Sequence, residues 1–160
     1  MKKVFIKKLL LFVILPICSV LLLYAVLAYF AHYSDKPKCV NGIYVSTAVI
    51  IHSREQLKIN YCKVLKKATT NDANSIKRLV LLDFTSGVVS SYDHGGVIVD
   101  LIELIGEDKF IQSLGIINKE QKNRISSYLM AGLEYGGNPN FQAKTLKEVF
   151  PKIYDFLNQR

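Results

Sequence analysis

An acid, a histidine and two glycines stand in a row at Asp93-His94-Gly95-Gly96, directly ahead of the apolar run from Val97 to Ile105. A histidine close to hydroxyls can act as a general base, and Ser86, Ser90 and Ser91 lie within a few residues of this one. A hydrolase built on His94 is therefore one reading of the stretch. Against it, no Gly-x-Ser-x-Gly elbow surrounds those serines. Adjacent side chains on a helix also point in different directions, so Asp93 is badly placed to orient His94. A glycine pair at a helix start can cradle an anion, but the carboxylate of Asp93 opposes one at that spot.

The plainer expectation is structural. Asp93 serves as the N-cap of a helix, a contact typically worth ~1 kcal/mol. Val97, Ile98, Leu101, Ile102, Leu104 and Ile105 then form an apolar arc of about 160°, which marks the central helix of a bundle. His94, as the first helical residue, projects to the middle of that arc and hydrogen-bonds a neighbouring loop. Gly95 and Gly96 carry no side chain, so another backbone or a ligand can approach closely. A third reading makes His94 a pH-sensitive or partner-contacting residue.

A second candidate surface is the glycine-rich turn "LEYGGNPNFQ", which gathers Tyr135, Asn138, Asn140 and Phe141. Aromatic loops of this kind often make contacts; equally, Phe141 could pin the turn to the core. The candidate binding residues are thus Asp93, His94, Gly95, Gly96, Tyr135, Asn138, Asn140 and Phe141. No metal or other cofactor is expected. Beyond the N-terminal flank only His52 and His94 remain, without HExxH or HxxxH spacing, and Cys39 and Cys62 form no CxxC pair.

The elements that must position these residues read as helices. Ser53 with Gln56 has the pattern of a capping box, and Leu57, Tyr61, Val64, Leu65 and Ala68 follow on one face. Lys58, Lys63, Lys66 and Lys67 spread over the solvated remainder. Thr70 or Asn71 caps the next segment, which carries Ile76, Leu79, Val80 and Leu82. Gly106 ends the central helix, and Glu107-Asp108 suit the positive N-terminus of another. Asn118 with Gln121 caps a long helix that stops at Gly136-Gly137-Asn138-Pro139. Pro151 kinks or splits the last segment. "CVNGIYVSTAVIIHS" stays ambiguous, because its β-branched content favours a short strand near 43–51 and its length suits a helix. The fold class is all-α: an N-terminal transmembrane helix followed by a compact bundle of about five or six helices in hairpins.

The N-terminal part sets the expected location. "MKKVFIKK" carries four lysines, and residues 9–31 follow without one charge. That run reaches roughly 35 Å as a helix, enough to cross a bilayer. The expected organisation is a basic flank at 1–8, an anchor at 9–31, a linker at 32–38 and a helical domain at 39–160. The lysines place the N-terminus in the cytoplasm and the domain outside a bacterial inner membrane. Secretion after signal cleavage is the rival. In that oxidising compartment Cys39 and Cys62 form a disulfide.

The formal charge is +8, of which Lys2, Lys3, Lys7 and Lys8 supply half. Residues 36–78 hold nine Lys/Arg against Glu55 and Asp72, whereas residues 79–160 hold eight against ten acids. The basic part suits anionic headgroups, while an exported domain without a recognition motif is a poor nucleic-acid partner. The plan resembles that of small exported bacterial immunity proteins, helical and often disulfide-bearing, which bind and block secreted toxins. The expected function is a non-enzymatic, membrane-anchored module that binds another protein, with toxin neutralisation its most concrete form. A small subunit or scaffold of an envelope complex is the alternative.

Overall fold

The computed structural model describes residues 17, 20–26, 39–40, 42–84, 87–141 and 143–159. The chain divides into two compact units, Met1–Lys36 and Pro37–Arg160. In the first, residues 17 and 20–26 are helical. Among the described residues no helix is long and apolar enough to cross a membrane. Most of the expected anchor, with the flank at 1–8 and the linker at 32–38, lies outside the described residues.

The second unit is helical throughout: α1 Thr47–Glu55, α2 Tyr61–Ala68, α3 Ala73–Val80, α4 Val88–Ile105, α5 Glu107–Leu114, α6 Lys119–Tyr135, α7 Leu146–Val149 and α8 Pro151–Asn158. No strand occurs among the described residues, where only an isolated bridge pairs Val40 with Ile43. The ambiguous segment resolves as α1. Ser46 takes an extended backbone and its hydroxyl accepts from Val49 N, so a local cap starts the helix despite the β-branched run.

Three boundaries differ from expectation. Ser53 caps nothing: its hydroxyl donates to Ile50 O at 2.9 Å, within α1. The chain then turns through Lys58 at φ +54°, and Asn60 caps α2 by accepting from Lys63 N. The α2 face is as expected, with Tyr61, Val64, Leu65 and Ala68 buried and Lys63, Lys66 and Lys67 exposed. The cap of α3 is Asp72 instead of Thr70 or Asn71, because Asn71 adopts φ +63° and so stays outside the helix. Hydrogen bonds to Ser75 hold the Asp72 carboxyl below its ordinary range.

The largest correction concerns the opening motif. α4 begins at Val88 after an extended Gly87, so Asp93 lies in its second turn and is not an N-cap. Two consecutive glycines inside a helix disfavour it by roughly 1 kcal/mol each relative to alanine. That local signal puts a boundary where the packing described below overrides it.

Elsewhere the local signals hold. Gly106, at φ +81°, separates α4 from α5. Asn118 and Gln121 form a reciprocal capping box on α6. Pro151 splits the C-terminal segment into α7 and α8 and occupies the first turn of α8, where its missing N–H is not needed.

The core sits between α4 and α6, whose contact is the largest between any two helices. Ile98, Leu101 and Ile102 of α4 and Ile125 and Leu129 of α6 are all fully buried in the one core cluster. The α2–α3 hairpin supplies Leu65, Ile76 and Leu79, α5 supplies Phe110 and Leu114, and α8 supplies Ile153. Glu107 Oε2 accepts from Ile153 N at 2.9 Å, tying the start of α5 to α8.

Cys39 and Cys62 are joined, with Cα atoms 5.0 Å apart and a separation of 23 in sequence. The bridge fastens the entry segment to α2. Closing a loop of this length stabilises by about 3 kcal/mol in the chain-entropy model. Replacing both cysteines with serine should therefore lower the urea-unfolding free energy by about that amount. An unchanged midpoint would show that the bridge adds nothing to the hold that the entry segment already has, buried Ile43 and Val45 included.

Candidate functional site

His94 is fully buried inside the core, as its place in the apolar arc implied. Its ring neighbours come from three parts of the chain. Tyr61 Oη of α2 lies 2.7 Å from its Nδ1. The Phe84 ring stacks on it at 4.5 Å and 34°, and Tyr128 of α6 stands perpendicular at 5.0 Å. His52 of α1 covers the Phe84 ring at 4.9 Å. The phenylalanine joins both imidazoles into one ring cluster.

Burial sets the protonation of this cluster. Desolvation lowers the His94 pKa to about 3, so the imidazole is neutral across the physiological range. Burial, with Tyr128 adding to it, raises the Tyr61 phenol well above its ordinary value. The phenol keeps its proton and, as the stronger acid of the pair, is assigned as the donor to the more basic His94 Nδ1, which places the imidazole proton on Nε2. That Nε2 has no hydrogen-bond partner among the described residues, nor has His52 Nε2. Tyr128 Oη closes the assembly by donating to Leu82 O at 3.2 Å and accepting from Phe84 N at 2.9 Å. It thereby fixes the segment that carries Phe84.

A general base needs a free lone pair within reach of the proton it removes. The accepting nitrogen of His94 is occupied by Tyr61, and the ring is closed to solvent. Ser90 pairs with the other histidine: its hydroxyl donates to Gly87 O at 2.9 Å and sits 3.4 Å from His52 Nδ1. Ser86 lies outside the described residues and Ser91 is half-buried. Among the described residues no group of three or more His, Cys, Asp or Glu could hold a metal ion.

Gly95 and Gly96 admit a helix, as one of the sequence readings held. Gly95 faces the backbone of Tyr128 and Gly132, and Gly96 faces Gly136. A Cβ on Gly95 would fall onto Tyr128 O and within 2.9 Å of Gly132 N. One on Gly132 would fall onto the Gly95 carbonyl. The four glycines are a seam along which α4 and α6 meet backbone to backbone. Asp93 is half-buried on α4 beside this seam.

The turn after α6 is fastened instead of free. Asn138 Nδ2 donates to Asp100 Oδ1 at 3.2 Å and to Glu103 Oε2 at 3.0 Å, and Asn140 Nδ2 reaches Glu103 Oε1 at 3.4 Å. Burial raises the Asp100 carboxyl, with the Asn138 hydrogen bond opposing and the Glu103 charge adding. Phe141 packs edge-on to Phe150 at 5.6 Å and joins the core, so it pins the turn. Tyr135 alone of that group presents its ring to solvent. It is 59% exposed and stacks on Tyr92 of α4 at 5.0 Å and 25°.

Tyr92 is itself 41% exposed and continues into a larger apolar surface. Val89, one turn earlier on α4, is 64% exposed. It shares a groove of about 420 Å³ with Ile51, 42% exposed, from α1. Ile51, Val89, Tyr92 and Tyr135 thus make a strip running over α1, α4 and α6. Sequence reasoning missed Val89 and Tyr92 because a helix starting at Asp93 leaves positions 89 and 92 in a loop, and Ile51 because its segment stayed ambiguous between strand and helix. The signal that would have found them is the three-residue spacing of Val89 and Tyr92. A second groove of about 670 Å³ lies between α6 and the C-terminal helices, lined by Met130, Leu133, Glu134, Lys144, Leu146 and Tyr154. No protein-family model, curated protein or solved structure matches the chain.

Proposed function

We propose that the protein is a non-catalytic binding module whose partner is another protein, carried on an N-terminal anchor at residues 9–31 and working outside the cytoplasm. Neutralisation of a secreted toxin is its most concrete form. The observation that carries this reading is the strip of Ile51, Val89, Tyr92 and Tyr135. Large apolar side chains are left exposed there, three of the four on α4 and α6, whose backbones are locked together by the glycine seam. Rigid aromatic side chains contribute contact area at low entropic cost and are favoured at the energetic centres of interfaces. The closed environment of His94 supports the non-catalytic half of the reading, since a hydrolase built on that residue would need it open to a nucleophile and substrate.

The test is photo-crosslinking in the producing cell, with a benzophenone amino acid at position 89, 92 or 135 and at exposed Asn123 as control. A discrete protein adduct from the strip and none from the control is expected. Tyr92→Ala with Tyr135→Ala should then weaken binding of that partner by at least about thirtyfold. The same pair of substitutions should change folding stability by no more than about 1 kcal/mol, the order of one exposed aromatic pair. No adduct above control at any of the three positions would refute the reading. Exchanging residues 9–31 for an unrelated anchor separates the alternative: it spares a surface binder and disables an envelope-complex subunit assembled through its own span.

A further inference from the structure

The α2–α3 hairpin concentrates charge in a way the binding strip does not use. Residues 58–78 hold Lys58, Lys63, Lys66, Lys67, Lys77 and Arg78 against Asp72 alone. All six cations except the half-buried Lys77 are exposed. None forms an ion pair among the described residues. The carboxylate of Asp72 is engaged in capping α3, where it accepts from Ser75 N at 2.9 Å.

An apolar knuckle stands beside this face. Between α5 and α6 the chain turns through Gly115 at φ +56° and presents Ile116, 97% exposed, while Ile117 turns into the core. Ile116 is the most exposed of the large apolar side chains described. Lys77 Nζ donates to Ile116 O at 3.3 Å, which sets the knuckle against α3.

We infer that the α2–α3 hairpin and the Ile116 turn dock onto an anionic bilayer surface, the lysines among the headgroups and Ile116 at the acyl boundary. Each part answers a different component of a lipid surface. Basic side chains near anionic headgroups favour the docked state by about fivefold each. A bare aliphatic side chain gains by leaving water for the interface. An acidic protein or a nucleic acid would satisfy the lysines but leave a solvated isoleucine unexplained. The uncharged run at 9–31 is an independent, sequence-level link of this chain to a bilayer. The inference concerns a different face from the proposed protein-binding strip and does not depend on it.

The chain contains no tryptophan, so one introduced reporter is read alone. Full-length Ile116→Trp is reconstituted into vesicles of phosphatidylcholine, with or without phosphatidylglycerol. Met130→Trp, at a 53% exposed site on α6, is the control. The expected result is blue-shifted emission quenched by brominated acyl chains at position 116, only when phosphatidylglycerol is present, and water-like emission at position 130. Adding Lys66→Gln and Lys67→Gln, or raising the salt, should reverse the shift, the two substitutions lowering the docked-to-free ratio on the order of tenfold or more. Water-like emission at position 116 in anionic vesicles would overturn the inference. So would equal responses in both lipids, equal quenching at position 130, or no effect of the lysine substitutions. A response to duplex DNA or polyglutamate without one to vesicles would also overturn it, and assign the surface to a soluble polyanion.

Discussion

Gly95→Val should remove more than about 4 kcal/mol of folding stability, much of what a domain of this size possesses. The atoms a side chain would strike are Tyr128 O, Tyr128 C at 3.1 Å and Gly132 N at 2.9 Å, all of them backbone. No rotamer change relieves such a clash, so α4 and α6 must separate, and their contact is the principal one in the bundle. The neighbouring position gives the internal comparison. A Cβ on Gly96 would approach Gly136 Cα at 3.2 Å, at the C-terminal end of α6 where a few tenths of an ångström of adjustment is available. Gly96→Ala also gains helix propensity of up to about 1 kcal/mol, so its net effect should stay within about 1 kcal/mol of zero. Urea denaturation of the two variants measures the contrast directly. A Gly95→Val midpoint equal to wild type would mean that the helices are not in backbone contact.

Acid should destabilise the fold through His94. In the unfolded chain the imidazole titrates near its ordinary value of about 6.5; in the folded chain burial lowers it to about 3. Between those values the unfolded state holds a proton that the folded state does not. Stability is therefore unaffected above about pH 7, then falls as the pH is lowered through 6.5 toward 3. The slope approaches ~1.4 kcal/mol per pH unit and the total is on the order of 4 kcal/mol. Asp72 and Glu148, held below the ordinary carboxylate range by hydrogen bonds to Ser75 and Thr145, add to the loss in the most acid part. Asp100, raised by burial, opposes it there. His94→Gln removes the titration and keeps an acceptor for Tyr61. It should be less stable than wild type at neutral pH, yet show a flatter decline between pH 6.5 and pH 4. An equally steep decline would assign the acid sensitivity to the carboxylates.

What could be read from the sequence was what is local. Asn118 with Gln121, Gly106 and Pro151 act on their own neighbours in the chain, and each placed its boundary correctly. Where a signal had to be weighed against distant packing, it misled. The Gly95-Gly96 pair looks like a helix boundary until Gly132 and Gly136 of α6 are set against it. Ser53 fits a capping box by spacing, but the left-handed turn at Lys58 starts the helix later. The apolar arc on α4 correctly directed His94 inward, while its partners Tyr61 and Tyr128 lie more than thirty positions away and carry no local mark. Tyr135 was legible as an aromatic in a glycine-rich turn, but its stacking on Tyr92 depends on the seam and so on the tertiary fold.

His94, the chain's most conspicuous residue, is a closed, neutral member of the core, apart from the proposed binding strip. Heteronuclear NMR of the His94 imidazole in the intact chain tests it most directly. One neutral tautomer, protonated on Nε2, is expected from neutral pH down to the acid-unfolding transition. Titration of that ring near pH 6.5, the ordinary value for an accessible histidine, would contradict it and return His94 to the field of acid–base chemistry.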